Sequence, residues 1–233
     1  TEFYNMACIA YAGMYVGLLW IFRTTNTTHH PEIVFSRDGI HYRRDYRQPF
    51  IERGGGIDFD SVSLYANQPI VSGDRILTFY TGRNWRSPET LLDLGDRAQG
   101  AIGLAVNRLD GFISVDGTKG FLEDVPIRRP RLAEYSELVT RSFSFAGAQL
   151  HLNVESALQQ WGAGSCEVRV EVLDPDHTYI PGYEFADADP ITSGSLDHLV
   201  SWNGSSDLSQ LTGRAIKLRF YFKNAKLYSF QFR

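Results

Sequence analysis

The sequence predicts an all-β protein built from two kinds of antiparallel module, and three observations carry that reading. β-Branched and aromatic runs bounded by Gly, Asp, Asn and Pro recur at roughly ten-residue intervals, and no long segment keeps a helical period. One phrase occurs twice, as SRDGIHY at residues 36–42 and as NRLDGFISV at residues 107–115, each time with an Asp-Gly turn between strand-like runs. Toward the C-terminus the runs alternate apolar and polar residues, as in HLNVE at 151–155 and KLRFYF at 217–222, the pattern of a sheet with one packed and one wet face.

Taken in order, residues 3–10 and 14–22 read as two strands linked by Tyr11, Ala12 and Gly13. Residues 32–36 and 40–44 read as two more, joined through Asp38 and Gly39. The scheme then repeats at 60–65, 75–80, 101–106 and 111–115, with Ser72, Gly73 and Asp74 as its first turn. This second unit is the longer one, and most of the excess falls in the connection 82–99; long connections in compact β domains usually carry function or move. Two four-stranded units of this kind are propeller blades, and two blades cannot close a wheel, so residues 1–120 are expected to form a partial β-propeller. Residues 121–137 are charged and contain Pro, as a linker does. The strands 138–145, 149–156, 166–173, 197–202, 215–223 and 226–232 are expected to make an antiparallel β-sandwich over 138–233.

Composition bounds the function. A hydrophobic share of 43% with 13% aromatics over 233 residues supports two modest cores. The formal charge of −4, with Lys and Arg scattered, offers no footprint for nucleic acid. The longest apolar run, residues 14–22, is far short of the roughly 20 residues that cross a bilayer as a helix, so no membrane partner is expected and the chain reads as soluble. Cys8 and Cys166 read as two buried free thiols. The compartment stays open, secretion included. The chain starts at Thr1 without an initiator Met and enters strand-like sequence within two residues, so further sequence is expected upstream.

The run from FDSVSLYANQPIVSGDRILTFYTG through IGLAVNRLDGFISVD, together with the closing WNGSSDLSQL and LRFYFKNAKLYSFQF, resembles the C-terminal part of the five-bladed β-propeller glycosidases. These are the arabinanase, fructosidase and invertase relatives, some of which append a β-sandwich. The resemblance implies a hydrolase-like protein of carbohydrate metabolism whose catalytic carboxylates lie on inner strands of earlier blades. This chain has no Asn-Asp-Pro, Arg-Asp-Pro or Glu-Cys phrase; Cys166 and Glu167 stand in the reverse order. It is therefore expected to be the C-terminal portion of such a protein and not catalytic by itself, because acid and nucleophile or base must flank one glycosidic bond.

The resemblance also implies a ligand face formed by residues 23–31, 45–58 and 82–99, with Tyr4, Asn5, Asp60 and Ser61 at the mouths of inner strands. Asp60 is the one catalytic candidate: it could accept hydrogen bonds from sugar hydroxyls or tune an acid, or it could cap local backbone. The longer connection adds Arg83, Asn84, Trp85, Arg86 and Glu89, a stacking ring with polar side chains beside it, or a ring that plugs its own loop. Asp38 and Asp110 read as turn residues, each beside a Gly that supplies positive φ. His29, His30 and Pro31 read as exposed loop, since adjacent imidazoles rarely share one ion. Asp174, Asp176, Asp187 and Asp189 lack the glycine of a calcium loop, so no metal or cofactor is expected. Two alternatives stand beside the leading one. The chain is a carbohydrate-binding module using Trp85 or a strip with Trp161 and Trp202, or it is a structural fragment that pairs with missing blades or with itself through an exposed edge at residues 3–10.

Overall fold

The computed structural model describes residues 1–86, 88–117, 135–157 and 165–233, with only the backbone of residues 88, 89 and 91. Among the described residues the chain is all-β, with several sheets and none closed. It divides into two compact units, Thr1–Phe112 and Ile113–Arg233.

In the first unit, β1 (Glu2–Tyr11), β2 (Met14–Arg23) and β3 (Thr28–Ser36) form one antiparallel ladder. Ala12 and Gly13 both take positive φ, 48° and 75°, which makes the tight primed turn that matches the twist of a hairpin. A second ladder contains β4 (Ser63–Ala66), β5 (Ile70–Ser72), β6 (Arg75–Arg83) and β7 (Gly100–Arg108); β4 and β5 share one side of β6, and β7 follows its other side from end to end. A single parallel residue pair, His29↔Ser63, joins the two ladders into one seven-stranded sheet. Side chains from both ladders share one core: Val16, Leu18 and Ile33 pack in the same cluster as Leu64, Ala66 and Ile76. Trp20 reinforces it by donating Nε1–H to the Ala66 carbonyl at 2.8 Å.

Several boundaries differ from the sequence reading. The third strand starts at Thr28, so His29, His30 and Pro31 are ladder residues and buried, not exposed loop. Pro31 is tolerated because beyond His29 the open side of β3 meets only isolated bridges, Glu32↔Pro49 and Phe35↔Arg43. The strand expected at 40–44 shrinks to that second bridge. The strand expected at 60–65 begins only at Ser63, since Asp60 is engaged by side-chain and loop contacts. At the second Asp-Gly phrase Asp110 itself takes the positive φ of 59° that was expected of its glycine, and Phe112 then enters the core. Of the strand expected at 111–115 only Val115 is in a strand, as the first residue of β8 (Val115–Gly117), which pairs with the last strand of the second unit. The long connection holds a short helix, α1 (Pro88–Leu94), opened by Pro where a first-turn N–H has no acceptor anyway.

The second unit has β9 (Ser136–Val139), β10 (Leu150–Ser156), β11 (Glu167–Leu173), β12 (Ser195–Leu199), β13 (Lys217–Lys223) and β14 (Ala225–Phe232). They form two antiparallel sheets, β12-β10-β14-β8 and β11-β13-β9. Most of the expected linker lies outside the described residues, and its end forms the start of β9. Leu150, Leu152, Val154 and Leu227 of one sheet and Val168, Val170, Leu218, Phe220 and Phe222 of the other belong to one core cluster. Trp202 is buried in it and donates Nε1–H to the Val170 carbonyl at 2.8 Å, which removes it from any exposed aromatic strip; Trp161 lies outside the described residues.

Candidate binding site on the first unit

Strand register sets the site. Phe22 of β2 pairs with His29 of β3, His29 with Ser63 of β4, and Ser63 with Arg83 of β6, so one row of residues crosses four strands. Tyr65 follows Ser63 at the two-residue repeat of a strand, and Trp85 follows Arg83 at the same spacing just past β6.

His29 is the centre. Its ring stacks on Phe22 at 4.5 Å and meets the Tyr4 ring edge-on at 5.0 Å. Nδ1 lies 3.1 Å from the Ser63 hydroxyl and 3.2 Å from the Tyr65 hydroxyl. A hydroxyl donating to Nδ1 leaves the ring proton on Nε2. That nitrogen is buried and has no hydrogen-bond partner among the described residues. Burial, then the positive charges of Arg83 and His30, push the His29 pKa down to about 4, so the ring is neutral at pH 7. Arg83 stands beside it with its guanidinium 4.3 Å from the Trp85 ring centroid and 5.5 Å from that of Tyr65. Its buried Nε also has no partner among the described residues. The pair offers hydrogen-bond donation and positive charge beside aromatic rings. It is suited to holding a ligand, and an imidazole so hard to protonate is a poor general acid or base near neutrality.

Next to His29 in the same strand, His30 Nε2 lies 3.2 Å from Glu32, and Arg44 Nε donates to Glu32 at 2.6 Å. Burial raises the Glu32 pKa, but the bonds from Arg44 and His30 outweigh it and hold the carboxyl below its usual range. This satisfied network props β3 against the chain that follows it.

The structure brings together three of the sequence candidates, Tyr4, Arg83 and Trp85, with His29, Ser63 and Tyr65, which the sequence reading missed. The remaining candidates are occupied elsewhere or stand alone. Asp60 is buried and accepts hydrogen bonds from the Tyr80 hydroxyl at 2.8 Å and the Gly54 amide at 3.2 Å. Burial and the bond to Asp60 raise the Tyr80 phenol to about 12. Asn84 is buried, donating to the Ile57 and Arg97 carbonyls and accepting from the Gln99 amide, so it ties the long connection down. Ser61 offers its carbonyl to Arg53, and Asn5 folds back on the Met6 amide. Arg86 is exposed and its amide donates to the Thr90 hydroxyl, while the Glu89 side chain lies outside the described residues. A signal for His29 existed: THHPEIVF carries the β-branched and aromatic content of a strand on both sides of its Pro.

An open hollow of about 430 Å³ lies at the β1–β2 turn, lined by Tyr11, Met14, Tyr15 and Arg37 among others. It sits at the Met14 end of β2, whereas His29 pairs with Phe22 at the other end. With Arg37 as its one charged side chain, the hollow lacks the converging polar groups of the His29 site. In the second unit Asp174 binds Arg214, Asp176 accepts from the Thr178 amide, Asp187 from Asn203 and Asp189 from Ser201 and Gly204, so each of the four carboxylates has a partner within the fold. Comparison of the chain with protein-family models and with curated proteins gives no match.

Proposed function

We propose that the chain is the C-terminal portion of a glycoside hydrolase-like, carbohydrate-active protein and that it supplies a glycan-binding surface without the hydrolytic carboxylates. The observation that carries this is the cluster of Tyr4, Tyr65 and Trp85 around two unsatisfied donors on His29 and Arg83. Aromatic faces suit the apolar side of a sugar ring, and fixed donors suit its oxygens. The accompanying architecture is two propeller blades followed by a β-sandwich. Two ladders that meet at one residue pair yet share a core are consistent with neighbouring blades packed face to face, and two sheets around one core are consistent with a sandwich. The test is calorimetric titration with neutral arabino-, fructo- and xylo-oligosaccharides, alongside an assay for released reducing sugar. The expected result is binding that Trp85→Ala weakens at least about tenfold, with no release of sugar. Hydrolysis by this chain alone, or binding indifferent to Trp85, would refute the proposal.

A second reading, pairing through open sheet edges, is favoured by one feature. Among the described residues β1 pairs only β2 and β7 only β6, and neither carries a Lys or Pro between residues 3–11 and 100–107 to discourage pairing. On β7, Ile102 is 75% exposed, and Leu104 and Val106 are exposed beside it. Light scattering should then find dimers or larger species that Leu104→Lys dissolves; a monomer at all concentrations would sink this reading.

A further inference from the structure

Resting on the glycan-binding reading, we infer that the Arg83 and His29 subsite takes an anionic group, the carboxylate of a single uronic-acid unit. Each buried polar atom of the cluster that has no partner among the described residues is a donor: Arg83 Nε and, with a hydroxyl donating to Nδ1, His29 Nε2. Arg83 has no ion-pair partner among the described residues; Asp60, packed against the neighbouring Gly82, is engaged by Tyr80. A guanidinium kept between the Tyr65 and Trp85 rings has its planar fork free for a planar acceptor.

The charge count selects the ligand. One cation beside a neutral imidazole balances a monoanion, which a uronate carboxylate is and a phosphate dianion is not. The rings explain why the anion belongs to a sugar: Trp85 lies against the guanidinium and the 56%-exposed Tyr4 against His29, surfaces on which a pyranose face can lie. Arg83 meets the carboxylate first, through terminal nitrogens that are not enclosed. His29 Nε2 is enclosed, with the exposed Tyr4 ring edge-on to the imidazole.

The experiment is calorimetry of the full chain at low salt with four probes: a neutral xylo-oligosaccharide bearing one glucuronic-acid unit, the same compound with that carboxyl reduced to the alcohol, sodium acetate, and inorganic phosphate. The acidic sugar is expected to bind at least about tenfold more tightly than its reduced form, a difference of about 1.4 kcal/mol, with acetate and phosphate far weaker. Arg83→Gln should collapse the acid-to-neutral ratio to about one, and Arg83→Lys should keep part of it, since it restores charge without the fork. Equal binding of acidic and reduced sugars by the unaltered chain would overturn this inference and leave the glycan-binding reading standing. Acetate or phosphate binding as tightly as the acidic sugar would overturn it in favour of a free-anion site. Binding of neither sugar would overturn both.

Discussion

Gly82 and Asp60 are in such close approach that a Cβ on residue 82 would lie 2.5 Å from the Asp60 Cβ and 2.9 Å from its Cα. The obstacle includes backbone, so nothing can swing away. Gly82→Ala is expected to lower the stability of the first unit by about 1–3 kcal/mol, read as a shifted denaturation midpoint. Gly100→Ala is the control: it would meet its nearest neighbour, the Gly82 carbonyl, at an ordinary 3.7 Å and should cost less than about 0.5 kcal/mol. Equal effects would contradict the packing described around Asp60.

Acid should weaken the first unit through His29. Its folded pKa of about 4 lies below the ordinary value of 6.5, so between those limits the unfolded chain binds a proton that the native one refuses. Stability therefore rises with pH across this window and is lost as pH falls from 6.5 toward 4, at up to about 1.4 kcal/mol per pH unit. Burial lowers the His30 pKa as well, and adds in the same direction. His29→Gln should flatten the dependence in denaturant titrations between pH 7 and 4.5. Parallel curves for variant and parent would mean that His29 is protonated as readily in the fold as outside it.

In the second unit Glu171 is the centre of a buried polar cluster whose disruption should be costly. Glu171 is 3% exposed; it accepts from the Phe185 amide at 2.8 Å, the Tyr221 hydroxyl at 2.8 Å and Arg219 at 3.2 Å. Glu171→Ala leaves Arg219 without its acid and should destabilise by about 3–5 kcal/mol. Tyr221→Phe removes one bond and should cost about 1–2 kcal/mol. The double variant should fall short of the sum, because the three groups share one site; strict additivity would show that they act separately.

Trp202 and Trp85 should respond in opposite assays. Trp202→Phe loses the bond to Val170 and some core volume, and is expected to cost about 1–3 kcal/mol without altering glycan affinity. Trp85→Ala should change affinity with little change in stability. The same response from both residues would undo the assignment of one to packing and the other to binding.

The strand content was legible wherever alternation and turn chemistry agreed. β6 and β13 lie close to where alternation puts them, because burial on one face writes a period of two into the chain, and β2 lies where its continuous apolar run puts it. The two Asp-Gly phrases show where local reading stops. At Gly39 the glycine takes positive φ, as its missing Cβ favours, while at Asp110 the aspartate takes it and accepts a bond from Tyr11, a residue 99 positions away. No local rule contains that partner. The site was half legible for the same reason. Trp85 and Arg83 stand out in a long connection, but His29 gains its role only when Ser63 and Tyr65 arrive from another strand. Asp60 stood out as a carboxylate, and its engagement depends on Gly54 and Tyr80.

The lone backbone pair between β3 and β4 has a mechanical consequence. Hairpins on either side are closed by many rungs, so a solvent that dissolves apolar contacts should split the sheet along that seam first, each half keeping its own pleats. Deuterium uptake should then advance outward from the His29 amide, whose bond to the Val62 carbonyl spans the seam, in a single opening event, making this line the hinge on which the first unit comes apart.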